Sequence, residues 1–332
     1  MQPDDLIVVR PQGLYCPVGD FYIDPWQPVA TAIVTHGHAD HARVGMGTYH
    51  GSEEGLPILR WRLGEQAYRS HAYGEAFDLG RVRVSLHPAG HVLGSAQVRI
   101  EDGDQVWVVS GDYKRQHDPT CSAFEPVPCS TFITESTFAL PIYRWPDTAQ
   151  VAAEIVEWRE HCAARGETAV LFCYALGKAQ RILAELAKHS SRPVWVHGAI
   201  ASGVDIYRQA GVAMADTELV ADAKSRDEWA GELVLAPPSA AGSAWMRRFR
   251  RVQTGFASGW MRIRGNRRRR NFDRGFVISD HADWPALLRT IEESRAERVI
   301  AHHGRSEALL RVLAERGLRV DRFDTGVEGE RA

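Results

Sequence analysis

Short apolar runs and period-two alternation dominate residues 6–135. Val82, Val84 and Leu86 alternate with Arg81, Arg83 and Ser85, which describes a strand with one buried face. Residues 30–34 and 106–109 are near-continuous apolar stretches of strand length, and residues 21–23 and 298–301 read the same way. Asp102-Gly103, between two alternating segments, predicts a hairpin. The period then changes. Val151, Ile155, Trp158 and Cys162 recur at helical spacing behind Asp147, predicting a capped helix to about residue 165. A strand over 169–173, a helix over 177–188, a strand over 194–196 and a helix near 204–209 follow. A helix over 285–294, a strand over 299–301 and a helix over 307–315 complete the pattern. Strands alternating with helices predict parallel units, so the fold class is α/β.

The chemistry lies where the apolar runs stop. His36-Gly37-His38-Ala39-Asp40-His41 places four potential metal ligands within six residues, directly after the strand over 30–34. Nitrogen and carboxylate donors of this kind suit zinc, or manganese and iron where more oxygen joins. A lone histidine at a turn is ordinarily just a satisfied polar group; three flanking an aspartate argue for ligation. His91 in Pro88–Ser95, Asp112 in Ser110-Gly111-Asp112, Asp24 after Ile23 and His302-His303-Gly304 also sit at strand ends. Singly, each reads equally well as a turn residue or a cap. Together they describe side chains converging on one sheet edge.

On these motifs the chain resembles the metallo-β-lactamase superfamily and, within it, the β-CASP nucleases of nucleic-acid processing and repair. Thr131–Thr137, with Glu135, resembles the first β-CASP motif; Phe276–Asp283, with His281, resembles the second; His303 is the third. Phe138-Ala139 stands where members often carry Tyr-Gly. The resemblance implies two divalent metal ions, Zn or Mn. It assigns His36, His38 and His91 to one, and Asp40, His41 and His303 to the other, with Asp112 bridging. The family's His-Gly pairing favours His303 over His302. Asp24 would orient the ligand loop from behind. The implied reaction is hydroxide attack on phosphate between two metals. Asp40, Glu135 and His281 would be catalytic, with His281 protonating the leaving oxygen or contacting phosphate and Glu135 orienting it. The implied architecture is a metallo-β-lactamase αββα sandwich from residues 1–140 and 275–332. An α/β β-CASP cap domain, residues 141–274, would be inserted in it.

Composition narrows the setting. A chain of 332 residues holds one large domain or two ordinary ones, and 44% hydrophobic residues suffice for a core. Cys16, Cys121, Cys129, Cys162 and Cys173 form no CxxC pair, against a disulfide framework or zinc ribbon. No signal peptide or apolar span is readable, so the expected compartment is the cytoplasm, without a membrane partner. A net charge of −2 hides ten arginines and no acid between Arg247 and Arg270. Arg247, Arg248, Arg267, Arg268, Arg269 and Arg270 are expected to contact phosphates near the active-site cleft. A solvated charge run is the alternative. Phe256 and Trp260, between the arginine clusters, either stack bases or pack internally. Lys178, where a buried strand meets a helix, is a further expected phosphate contact, on the resemblance of its loop to the β-CASP one.

The expected function is a metal-dependent nuclease acting on nucleic acid, DNA favoured over RNA. Ser279–Asp283 and Pro237–Ser243 resemble segments of bacterial ligase-associated exonucleases. That resemblance points to a DNA exonuclease working on single-stranded ends in repair, associated with a DNA ligase and a helicase. The nearest competitor is an RNA-processing β-CASP endo- or exonuclease. A small-molecule metallo-hydrolase, lactonase- or glyoxalase-like, has no use for an arginine belt or a cap of this size. The intact ligand set argues against a metal-free binding protein.

Overall fold

Side-chain alternation on the strands sorts apolar groups to defined faces, and the layers follow from it. The structure is a computed structural model describing residues 5–225, 227–263, 265 and 272–323. The first sheet contains β1 (Val8–Arg10), β2 (Gly13–Cys16), β3 (Phe21–Ile23), β4 (Thr31–Ile33), β5 (Thr48–Ser52) and β6 (Tyr68–His71), in that order. The second contains β7 (Ala76–Leu79), β8 (Val82–Pro88), β9 (Ala96–Asp102), β10 (Gln105–Val109) and β11 (Thr131–Glu135). It continues with β18 (Arg298–His302) and β19 (Arg319–Arg322), in the order β19-β18-β11-β10-β9-β8-β7. The predicted hairpin joins β9 to β10 antiparallel, with Gly103 at φ +58° in its turn.

One face of the second sheet, through Val84, Val98, Trp107, Val109, Ile133 and Ile300, packs on Leu14, Phe21, Ile23 and Ile33 of the first. Its other face, through Val108, Phe132 and Val299, packs on α5 (Trp284–Ser294) and α6 (Glu307–Glu315). Behind the first sheet, Ala32 and Tyr49 meet Leu59 and Leu63 of α1 (Leu56–Leu63). Each fully buried Val, Leu or Ile contributes on the order of 1.5–3 kcal/mol, so the alternation holds the layers in register. The helix–sheet–sheet–helix order is compatible with an αββα sandwich.

The chain divides into two compact units, 1–143 with 281–331, and 144–280. The second is built on a parallel sheet: β12 (Thr168–Phe172), β13 (Val194–Val196), β14 (Thr217–Leu219), β15 (Leu233–Ala236), β16 (Val252–Ala257) and β17 (Arg274–Phe276). Their order is β14-β13-β15-β12-β16-β17, and every described pairing is parallel. Asp147 caps α2 (Thr148–Ala163), accepting from the Ala149 and Gln150 N–H groups at 2.8 and 3.3 Å. After α3 (Lys178–Leu186) comes α4 (Gly198–Gln209), which begins six residues before the stretch that apolar spacing suggested. Its cap is the His197 side chain, not one of the residue types that announce a helix start. Phe256 is buried and stacks on Phe272, so of its two readings it takes the internal one. Among the described residues, no helix is long and apolar enough to cross a membrane.

Candidate metal centre

The ends of β3, β4, β8, β10, β11 and β18 build the centre. Asp24 follows β3 in the left-handed region at φ 45°, and its carboxylate accepts the Thr35 N–H (2.7 Å) and hydroxyl (2.6 Å). That anchors the chain leaving β4 just before His36. Gly111, after β10, has φ +55°, and a Cβ there would lie 2.8 Å from the Thr35 Cβ. Glycine thus lets the Asp112 loop press against Thr35. The His38 carbonyl accepts the His41 and Ala42 N–H groups at 3.1 and 2.8 Å, closing the ligand loop into one turn.

The donors meet as follows. His38 Nδ1 lies 3.1 Å from His36 Nε2 and 3.0 Å from His91 Nε2. Asp112 Oδ2 stands 3.7 Å from His36 Nε2, 3.8 Å from His91 Nε2 and 3.4 Å from His41 Nε2. His36, His38, His91 and Asp112 each bring one ligand atom within 4.8 Å of the others. One ring nitrogen carries one proton or one lone pair, so His38 Nδ1 cannot satisfy both neighbours by hydrogen bonds. Two nitrogens bound to one tetrahedral zinc stand about 3.3 Å apart, near these spacings. The donor set fits a divalent ion.

A second group shares Asp112. His281 Nδ1 lies 2.9 Å from Glu135 Oε2 and 3.9 Å from Asp112 Oδ2, while Glu135 Oε1 accepts the Tyr113 N–H at 2.8 Å. These three residues also form a cluster of metal-competent atoms. His302 and His303 line a small cavity with Asp24, His41 and Glu135, and both Nδ1 atoms are buried without a hydrogen-bond partner. His303 takes φ 58°, its ring 5.7 Å from that of His41; the Ser136 hydroxyl bonds its carbonyl. Asp40 is the outlying member: its carboxylate is 44% exposed and 3.8 Å from His41 Nε2.

Burial, then the imidazoles of His41, His91 and His38, hold His36 well below the usual histidine range, so its ring is neutral and able to ligate. Burial opposes charge on His41, but Asp112 and Asp24 outweigh it and raise its pKa well above normal. An ion ligated there would take the place of that proton. Burial also opposes charge on Asp112, but His41 and His281 hold its carboxyl well below the ordinary range. Burial pushes the Glu135 carboxyl up despite His281. His302 and His303 are both depressed, first by burial.

Thr35 is the residue that motif reading passed over. Besides its bonds to Asp24, its hydroxyl lies 3.1 Å from His36 Nδ1, and only its place at the strand end could have pointed to it. Asp24 also holds His41 Nδ1 at 2.7 Å, leaving Nε2 to face Asp112. Asp24→Asn should therefore lower divalent-ion affinity about 10–100-fold, read by chelator competition. Unchanged affinity would leave Asp24 with a purely architectural role.

Among the expected nucleic-acid contacts, Lys178 is 1% exposed, with its ammonium 3.1 Å from Asp280 and 4.4 Å from the Tyr174 ring centroid. Its charge is neutralised inside its own unit rather than offered to a phosphate in solvent. Arg247 and Arg248 are in the 3-10 helix Ala244–Arg248 of the second unit. Arg267 to Arg270 lie outside the described residues.

No protein-family model matches the chain. It is 32% identical over 320 residues to a probable DNA ligase of Opitutus terrae, covering 92% of this chain and 30% of that protein. It is 25% identical over 230 residues to the transcription termination factor FttA of Methanothermobacter thermautotrophicus, covering 56% and 35%. Against the endoribonuclease YSH1 of Eremothecium gossypii it is 28% identical over 122 residues, covering 36% and 16%. The chain thus spans about a third or less of these relatives' lengths. A crystal structure of a protein of unknown function from Enterococcus faecalis V583 matches at TM-score 0.56 and 12% identity, covering 88% of this chain and 78% of that one. That likeness is one of fold.

Proposed function

Because this chain belongs to the β-CASP nuclease branch of the metallo-β-lactamase superfamily, we propose that it is a metal-dependent phosphodiesterase cutting nucleic acid. The observation that carries this reading is the meeting of His36, His38 and His91 nitrogens beside Asp112, with the Glu135–His281 pair on the same carboxylate. The first unit is read as the metallo-β-lactamase αββα sandwich and the second as the inserted β-CASP domain. His36, His38 and His91 would hold one divalent ion, Zn or Mn, and Asp40, His41 and His303 another, with Asp112 serving both. Such ions supply an activated water near neutral pH and neutralise charge on phosphate oxygens.

The remaining chemistry belongs to the protein. Glu135 takes the Nδ1 side of His281, which fixes the ring and leaves Nε2 free of that carboxylate. Nε2 is then the atom that gives a proton to the leaving oxygen. Asp24 and Thr35 keep the ligand loop in place.

A match over 92% of this chain to a segment of a probable DNA ligase favours DNA as substrate, and single-stranded ends are the finer target of this reading. The match to a protein named an endoribonuclease supports RNA as the second reading. End-labelled single-stranded DNA and RNA, each with Mn or Zn, separate the two, and the product ladder separates exo from endo cutting. Full metal loading with neither strand cut would overturn the proposal.

The arginine run gives a second test. Replacing Arg267, Arg268, Arg269 and Arg270 by glutamine should weaken binding of different sequences alike. It should flatten the log–log salt slope by about 0.7 per lost single-strand phosphate contact. An unchanged slope with full activity would mark the run as a solvated segment.

A further inference from the structure

The carboxyl edge of the second unit's parallel sheet gathers side chains that the proposed hydrolysis leaves unused. Such edges, with their loops and helix starts, are where parallel α/β sheets take ligands. His197 directly follows β13, and its N–H donates to the Leu235 carbonyl on neighbouring β15 at 2.9 Å. The loop leaving β15 leads into the 3-10 helix Ala244–Arg248, where Ser243 Oγ accepts the Trp245 N–H at 3.2 Å. The half-buried Trp245 ring lies 4.9 Å from the His197 ring and 5.1 Å from that of Phe249. The Arg248 guanidinium stands 5.0 Å from the indole centroid, tethered by Nε donating to the Trp245 carbonyl at 3.0 Å.

The protonation pattern adds to this. His197 Nδ1 accepts the Ala199 N–H at 3.0 Å, so a neutral ring carries its proton on Nε2 as a donor. Burial, then Arg248, depresses the His197 pKa, consistent with that neutral form. Neighbouring cations are committed differently. Arg250 pairs with Asp227 at 3.0 Å and Arg251 with Glu167 at 3.5 Å, whereas Arg247 and Arg248 have no ion-pair partner among the described residues. A half-buried indole, a guanidinium with no carboxylate partner among the described residues and a neutral imidazole donor thus sit together.

We propose that Trp245, Arg248 and His197 form a binding site for one nucleotide of a single strand. Its base stacks on the Trp245 indole, and its phosphate accepts from the Arg248 guanidinium and His197 Nε2–H. Stacking tolerates any base, because each has a π face, and the guanidinium recognises a phosphate without reading sequence. The inference rests on the nuclease reading above and assigns part of its substrate path.

The test compares a labelled oligothymidylate with an abasic strand of equal length, both bound by the full chain in EDTA. The wild-type chain should prefer the thymidylate. Trp245→Ala should lose about tenfold on the thymidylate and nothing on the abasic strand. Trp245→Phe should keep the preference, and Trp245→Leu, which retains apolar packing, should lose it. Arg248→Gln should weaken both strands alike. If Trp245→Ala lowers the melting temperature, the Phe and Leu variants decide. Equal preference in Trp245→Leu and the wild-type chain, or loss on both strands equally, overturns the site while leaving the nuclease reading standing. A wild-type chain that binds neither strand overturns the site, and the cleavage assay reports on the nuclease reading by itself.

Discussion

Asp112→Asn is expected to lower phosphodiester hydrolysis at least about a thousandfold, because it removes a charge whose contribution to the transition state is several kcal/mol. The substitution keeps the shape of the side chain and removes the carboxylate that stands within 3.9 Å of His36, His41, His91 and His281. No other described residue belongs to both metal-competent clusters. Its asparagine variant should therefore lose bound metal as well as turnover. Metal content by plasma emission and hydrolysis of an end-labelled strand read the two losses separately. Full content with full activity would remove Asp112 from the site. Circular dichroism should still report a folded chain, since the layers rest on apolar contacts between the sheets.

His281→Ala separates proton donation from ion binding. A positioned acid contributes about 10²–10⁴-fold, and a loss in that range is expected for the variant with its metal content intact. Glu135→Gln should fall in the same direction, because it replaces the carboxylate 2.9 Å from His281 Nδ1. The structure makes the opposite outcome concrete. Asp112, Glu135 and His281 lie close enough to share an ion, so loss of one metal from His281→Ala would make His281 a ligand. Its role as proton donor would then be wrong, and the second ion would need a different donor set.

Much of the local architecture was legible along the chain. Apolar alternation in residues 81–86 is β8, with Val82, Val84 and Leu86 buried. The helical spacing behind Asp147 is α2, and its cap makes the bonds that an aspartate there should make. These features depend on neighbours within a few residues, where period and capping chemistry act. The start of α4 was not legible, because a histidine cap looks like any loop histidine until its Nδ1 is seen accepting an amide. For the same reason Lys178, written next to a glycine at a strand–helix junction, resembled a phosphate contact. Its partner Asp280 lies about a hundred residues further along, and only folding brings that carboxylate to 3.1 Å.

The sequence by itself determined which chemistry was available and where along each element it falls. The imidazoles and carboxylates follow strands, and strands of this apolar pattern have to be buried. Tertiary structure alone decided which of those groups meet. His38 and His91, 53 residues apart in sequence, come to 3.0 Å, and Glu135 and His281, 146 apart, to 2.9 Å. It also decided the protonation each group prefers, since burial and neighbouring charge set His36 low and His41 high although both belong to one loop. The physical reason is range. Backbone propensity and side-chain period act over a turn or a strand, whereas contact distance and dielectric environment are set by packing between layers that the linear order does not make adjacent.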